Sequence, residues 1–424
     1  MRQKPWAFWS RIFYCGLLLA TGFGADRAVA TSTLMEPPEN SVKPQSQLDA
    51  EASDDMAVFI PAADNRDTSL PQPFKAGPVV FRPHLNYQYS YTEGLLAAPS
   101  NSVNSSVHTI ALGATVDLGR HWTLDYTPTI QVYSDKAFNN NVGHMASLMG
   151  SVSYEDWVFS LSQTYSKSDS TLVETATQTE QQQFSTSLNA SCQLNEKFST
   201  DMSLGQQISD VTGGQGIRAW SLSDWLNYQI AQRIFIGIGG TFQYVDVDTG
   251  PNQLSESLQA RLRWRATEKI SFSVRGGLEC RQTLNDAYKD SLSPIYGADL
   301  QYAPFKHTQI SLYANRSSDS SQLYNILSQS TESTSVGLTL NQRLFENYNL
   351  STGVNYTHAD YKTTYLILSN VRTDDNYSIS VGLNRTIFKR GSVGVSYQYG
   401  KNTSNQAGYS YLSNQIGLQA SFAY

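Results

Sequence analysis

Four arginines carry the sharpest chemical signal in the sequence. Arg261, Arg263 and Arg265 alternate with Leu262 and Trp264, so an extended chain puts all three on one face. If the chain reverses at Thr267-Glu268-Lys269, Arg275 falls directly across from Arg261. Guanidinium groups spaced this way attract anions and orient them through fixed donor forks. Two like charges directly opposite one another destabilise a hairpin unless a carboxylate or a bound anion comes between them. Glu279 and Asp299 are the carboxylates that could serve. The four arginines therefore read either as an anion-attracting strip or as an internal salt-bridge ladder that braces a wall.

The other chemistry-bearing residues do not gather. His84, His108, His121, His144, His307 and His358 lie on separate segments, and no His-x-x-x-His metal spacing occurs. Serine is everywhere, so a Ser–His pair would carry little meaning. No phosphate-cradling glycine loop sits between a strand and a helix, and no basic patch suits nucleic acid. Catalysis, a metal and a cofactor are therefore not expected. Asp224 breaks a pattern, since in Trp220, Leu222, Asp224, Leu226 and Tyr228 it takes an apolar position. A β-bulge there would turn it to the other face with Ser223. A contact with another copy of the chain is the alternative.

The elements that must position these residues are strands. From residue 78 to the end, apolar side chains recur at every second position. Ile110, Leu112, Ala114, Val116 and Leu118 make one such run, and Phe184, Leu188, Ala190, Cys192 and Leu194 fall in another. Short connections fall near Gly119-Arg120, Glu155-Asp156, 195–197, 231–233, 267–269, 303–306, 345–347 and 388–391. Longer polar ones fall near 92–104, 134–141, 168–178, 210–215, 247–251, 282–290, 317–330, 361–372 and 401–410. Eight short and nine long connections separate 18 strands. Alternating short turns and long loops is the signature of an all-β, antiparallel, up-and-down transmembrane barrel, and an even count returns both ends to one side. Aromatic side chains gather near strand ends, among them Tyr87, Tyr89, Trp122, Trp157, Trp264 and Tyr399, as interfacial girdles require. A wall of this size encloses a lumen too wide for its own side chains to fill.

Composition agrees. Charged residues make up 16% of the 424 residues, against about a quarter in ordinary globular chains. Mean hydropathy is nonetheless −0.37. The polar surface is thus carried by uncharged side chains and by 25 tyrosines. Residues 1–30 read as an export signal: Arg2, Lys4 and Arg11 precede an apolar run, and Ala28-Val29-Ala30 offers a cleavage site. Its removal takes out four basic residues and one acidic one, and the net charge falls from −6 to −9. Residues 31–77, rich in proline, read as a disordered periplasmic segment ahead of a barrel at 78–424. Cys192 and Cys280 fall on different strands and are not expected to pair.

The chain closes on Ile416, Leu418, Ala420, Phe422 and Tyr424 in strict alternation. Together with the export signal and the strand array, this resembles the β-barrel porin families of Gram-negative outer membranes. The resemblance implies an insertion signal at Phe422 and Tyr424, read by the barrel-assembly machinery in a bilayer of outer-membrane lipids. It also implies passage of small hydrophilic solutes. Export of an exopolysaccharide, or surface binding through the long loops, are the other roles such families suggest.

Overall fold

The computed structural model describes residues 74–98, 101–172, 177–214, 216–248, 251–284, 290–325, 328–345, 347–362, 372–387 and 390–424. The export signal and nearly all of the proline-rich segment lie outside the described residues, as does most of the 361–372 connection. A short strand, β1 (Phe74–Ala76), comes first. The wall then begins with β2 (Val79–Ala98), β3 (Asn101–Leu118), β4 (Trp122–Tyr133), β5 (Asn141–Tyr154), β6 (Trp157–Leu172) and β7 (Thr177–Gln193). It continues through β8 (Phe198–Val211), β9 (Ile217–Ala231), β10 (Ile234–Val247), β11 (Gln253–Arg265), β12 (Ile270–Thr283) and β13 (Ser291–Phe305). It ends with β14 (Thr308–Asn325), β15 (Ser328–Leu344), β16 (Tyr348–Lys362), β17 (Arg372–Ile387), β18 (Gly391–Ser404) and β19 (Tyr411–Ala423).

Each strand from β2 to β19 pairs antiparallel with its sequence neighbours, and β19 returns to β2 from Asn414↔Glu93 to Ala423↔His84. Those 18 strands therefore form a closed antiparallel barrel. Closure removes the open edge that neither lipid nor water could satisfy along the wall.

The alternation in the sequence becomes the two faces of this wall. Leu112, Leu258 and Ile416 are 61%, 64% and 58% exposed, which is what a lipid-facing side chain must be. Their neighbours in sequence point into the lumen and are mostly Ser, Thr, Asn, Gln and Gly. The only cluster of buried apolar side chains among the described residues is Ile217, Val245 and Val247, with Ala219 against it. The barrel is held by its ladder and by packing along the wall rather than by a central core.

The described short turns fall where the sequence puts them, except that the one expected at 303–306 lies at Lys306-His307 because β13 runs on to Phe305. Gly119, between β3 and β4, takes φ +72°, a conformation that a residue with a Cβ adopts only under strain. The long connections differ from expectation. Much of 92–104, 168–178 and 317–330 is strand, because β2, β3, β6, β7, β14 and β15 run on past the apolar belt. Strands of 12 to 20 residues exceed the 9–11 or so that cross a bilayer. Above the belt both faces meet water, so the apolar alternation stops while the backbone ladder continues. β2 and β7, five strands apart around the wall, approach one another.

The seam is clasped at its lower end. β1 folds back on β2 from Phe74↔Phe81 to Ala76↔Val79. The ring of Tyr424 stacks on Phe74 at 5.2 Å, and the Arg390 guanidinium lies 4.0 Å over that ring. The Tyr424 N–H donates to the Pro83 carbonyl at 3.0 Å. Phe422 faces outward and is 47% exposed. Cys192 and Cys280 are both free thiols.

Candidate functional site

The hairpin of β11 and β12 places Arg261 directly opposite Arg275, as the turn at 267–269 requires. Arg261, Arg263, Arg265 and Arg275 share the lumen face, because their cross-strand partners Gly237, Phe235 and Ser271 do. The arginine pair escapes its own repulsion by diverging. One lateral row of inward positions reads Asn227, Gly237, Arg261, Arg275, Gly297 and Asn315 across β9 to β14. A glycine thus flanks each arginine on its outer side. A Cβ on Gly237 would stand 3.1 Å from Cγ and Nε of Arg261, and a Cβ on Gly297 would stand 2.7 Å from Nε of Arg275. The two side chains lie flat along the wall in opposite directions, each over a strand that has no side chain there.

Arg261 ends on a carboxylate two strands beyond its glycine. Its Nη2 donates to Asp201 Oδ2 at 2.5 Å and to Asn227 Oδ1 at 2.6 Å, and its Nε donates to the same amide oxygen at 3.0 Å. Asn227, 1% exposed, donates in turn to Asp201 at 2.9 Å. The guanidinium also lies 4.2 Å over the ring of Trp225, which occupies the space left by Gly239. Arg263 reaches the same Asn227 oxygen at 3.4 Å and sits 5.9 Å over Phe235. Arg265, nearest the short-turn rim, is exposed. The partner of Arg261 is therefore Asp201, while of the two carboxylates nominated from the sequence for the arginine pair Asp299 interacts electrostatically with Arg275. Glu279 accepts from Arg281 at 2.9 Å, and Asp299 stands opposite Ser273.

The wall across the lumen carries a second polar group. β2 is nine strands from β11 in the ring of eighteen and so faces it. There Arg82 pairs with Asp117. His84 lies over Gly113, with Nε2 at 2.8 Å from Thr127 Oγ1 and Nδ1 at 3.8 Å from Asp125. Thr115 and Thr127 also donate to Asp125, at 2.6 and 2.9 Å. The histidines are scattered in sequence, and only the barrel register brings His84 to Asp125.

From β14 to β19 the lumen face is of another kind. Tyr313 lies over Gly337 and donates to Asn355 at 2.9 Å. Ser335 and Thr357 share a hydrogen bond of 2.9 Å, as do Ser392 and Ser421 at 2.6 Å. Between Arg343 near the short-turn rim and Arg372–Asp374 at the far entrance, this arc shows no acidic or basic side chain toward the lumen among the described residues. At that entrance Arg372 is paired with Asp374 and held between the rings of Tyr361 and Tyr409 at 4.4 and 3.8 Å.

Asp224 departs from expectation. The ladders of β9 with β8 and with β10 run through it unbroken, pairing it with Met202 and Gly240. No bulge turns it inward, and its carboxyl group is exposed on the lipid face. A bulge would have cost two rows of ladder hydrogen bonds, whereas the carboxyl group finds a donor in the outward Thr200, at 3.1 Å.

A closed barrel of 18 antiparallel strands, with an apolar outer belt, aromatic girdles and a polar lumen, defines an outer-membrane β-barrel, set in the envelope of a Gram-negative bacterium. Residues 257–424 match the family model described as "Putative beta-barrel porin 2". Among solved structures, Pseudomonas aeruginosa OccK2 (OpdF) is similar at 9% identity and a TM-score of 0.46, over 81% of this chain and 98% of that one. OccK2 has also been solved in complex with glucuronate. Pseudomonas aeruginosa OpdQ is similar at 11% identity and a TM-score of 0.45, over 82% and 99% of the two chains. The siderophore receptor PirA from the same organism is similar at 8% identity and a TM-score of 0.43, over 84% and 81%. No curated protein matches this chain.

Proposed function

We propose that this chain is an outer-membrane channel that passes small hydrophilic solutes and favours anions. The supporting observation is the way long lumen side chains lie flat over glycines, which leaves the space they enclose to water. Arg261 is tied to Asp201 and contributes mainly to the wall. Arg263 and Arg265 then supply the positive field that a passing anion meets near the short-turn rim. The chain reaches the membrane through residues 1–30 and inserts through Phe422 and Tyr424, whose lipid-facing alternation the assembly machinery reads. Its work is passage rather than catalysis, and His84 with Asp125 and Thr127 braces the wall. Refolded mature protein added to a planar bilayer is expected to give stepwise conductance. A folded barrel that gives none overturns the reading.

A second reading rests on the uncharged arc of β14 to β19. Hydroxyl and amide groups beside a flat tyrosine suit the hydroxyls and apolar faces of sugars, which favours carbohydrate, including a polysaccharide in export. Deletion is then expected to remove surface polysaccharide, and unchanged polysaccharide in the deletion strain excludes it.

A further inference from the structure

The outer face of β8 to β12 holds a set of features that lipid alone does not explain. Asp224 sits four residues from Trp220 and four from Tyr228 along β9. Trp220 stacks with Tyr244 at 6.0 Å and Tyr228 meets Phe198 at a tilt at 4.8 Å, one pair in each aromatic girdle. Asp224 is thus midway between the girdles, where a charged side chain is most costly. Among the described residues, the one hydrogen bond that reaches its carboxyl group comes from Thr200. Beside it Gly240 leaves a notch in the outer surface. Toward the short-turn rim a groove of about 660 Å³ opens among Leu226, Tyr228, Ile236, Ile238, Ala260 and Leu262. On the other side of Asp224, the outward rings of Trp157 and Phe159 on β6 stack at 5.8 Å and stand as a ridge.

We propose that this face is where a second copy of the chain docks. Acyl chains offer no hydrogen bond, so the remaining capacity of the Asp224 carboxyl group calls for a membrane-embedded protein partner at the same depth. A copy in the same orientation brings its own Asp224–Thr200 pair to that depth by symmetry, where the two carboxyl groups hydrogen-bond as a pair that shares one proton. The patch is also self-complementary: a ridge lies to one side of the pair and a groove to the other, so an isologous contact seats each ridge beside the partner's groove. Gly240 lets the two backbones approach at the notch. The inner side of this sector is the part braced by Arg261, Asn227 and Asp201, which gives the contact a stiff support.

The test is the mass of the full mature protein in mild detergent and in lipid nanodiscs, by light scattering and native mass spectrometry. Wild type is expected at a multiple of the single-chain mass. Asp224→Leu is expected at the single-chain mass, with bilayer conductance and heat-modifiable migration intact, since leucine suits a lipid face. Asp224→Asn retains a donor and an acceptor and is expected to stay assembled. Gly240→Trp fills the notch beside the carboxyl group and is expected to separate the copies. Wild type at the single-chain mass in both media overturns the proposal, as does an Asp224→Leu protein that stays assembled. An Asp224→Asn protein that separates overturns the hydrogen-bonded basis of the contact. Because conductance is read on the same samples, failure of the channel reading is seen separately.

Discussion

The lumen wall from β8 to β13 and the wall from β14 to β19 use the same geometry for different ends. In both, a long side chain lies flat over a glycine of the next strand: Arg261 over Gly237 and Arg275 over Gly297 in the first, Tyr313 over Gly337 in the second. In the first arc the flattened groups are charged, and Arg261 ends on a buried amide and a carboxylate. In the second they end on neutral amides and hydroxyls. The difference teaches that the glycines set the width of the lumen, while the side chains laid over them set its chemistry. A charged arc must also solve a repulsion problem that a neutral arc never meets, and it does so by sending two opposed arginines in opposite directions.

Substitutions that undo this solution should cost more in the charged arc than in the neutral one. Asn227→Leu removes the amide that joins Arg261, Arg263 and Asp201, and leaves charged groups short of partners. It is expected to lower stability by about 2–3 kcal/mol in urea unfolding from lipid vesicles. Gly297→Val sets a branched side chain where Arg275 now lies and returns that arginine toward Arg261. A loss of about 1–2 kcal/mol is expected, with a smaller single-channel conductance as Arg275 stands into the lumen. Asn355→Ala, the matching cut in the neutral arc, takes one neutral hydrogen bond from Tyr313 and is expected to cost about 1 kcal/mol or less. Ser380→Ala, on the same arc, should stay within about 0.5 kcal/mol of wild type. Equal losses at Asn227 and Asn355 would break the distinction between the arcs.

Much of this was legible in the sequence, and the boundary of legibility has a physical cause. A period of two marks each strand, and local turn chemistry marks each reversal. The strand count and the pairing of Arg261 with Arg275 follow from those local features alone. Asp201 was hidden because it reaches Arg261 across β9 and β10, sixty residues away, through contacts no local pattern encodes. A signal was present in Gly237-x-Gly239, two inward glycines side by side on β10, which mark a place where neighbouring side chains must cross. His84 and Asp125 meet only because β2, β3 and β4 hold a fixed register. Asp224 suggests a bulge because a lone strand shows only the cost of a carboxylate on a lipid face. Thr200, on the strand before, offsets part of that cost. The long connections were overestimated because, above the apolar belt, strand and loop share one composition.

An anion preference requires the charged arc to face an open lumen. The direct measurement is the reversal potential of single channels in a potassium chloride gradient, for wild type and for Arg263→Ala/Arg265→Ala. Wild type is expected to conduct with an anion preference, and the double variant to keep its conductance steps while that preference falls. A folded barrel without conductance, or a reversal potential that the double variant leaves unchanged, would contradict it.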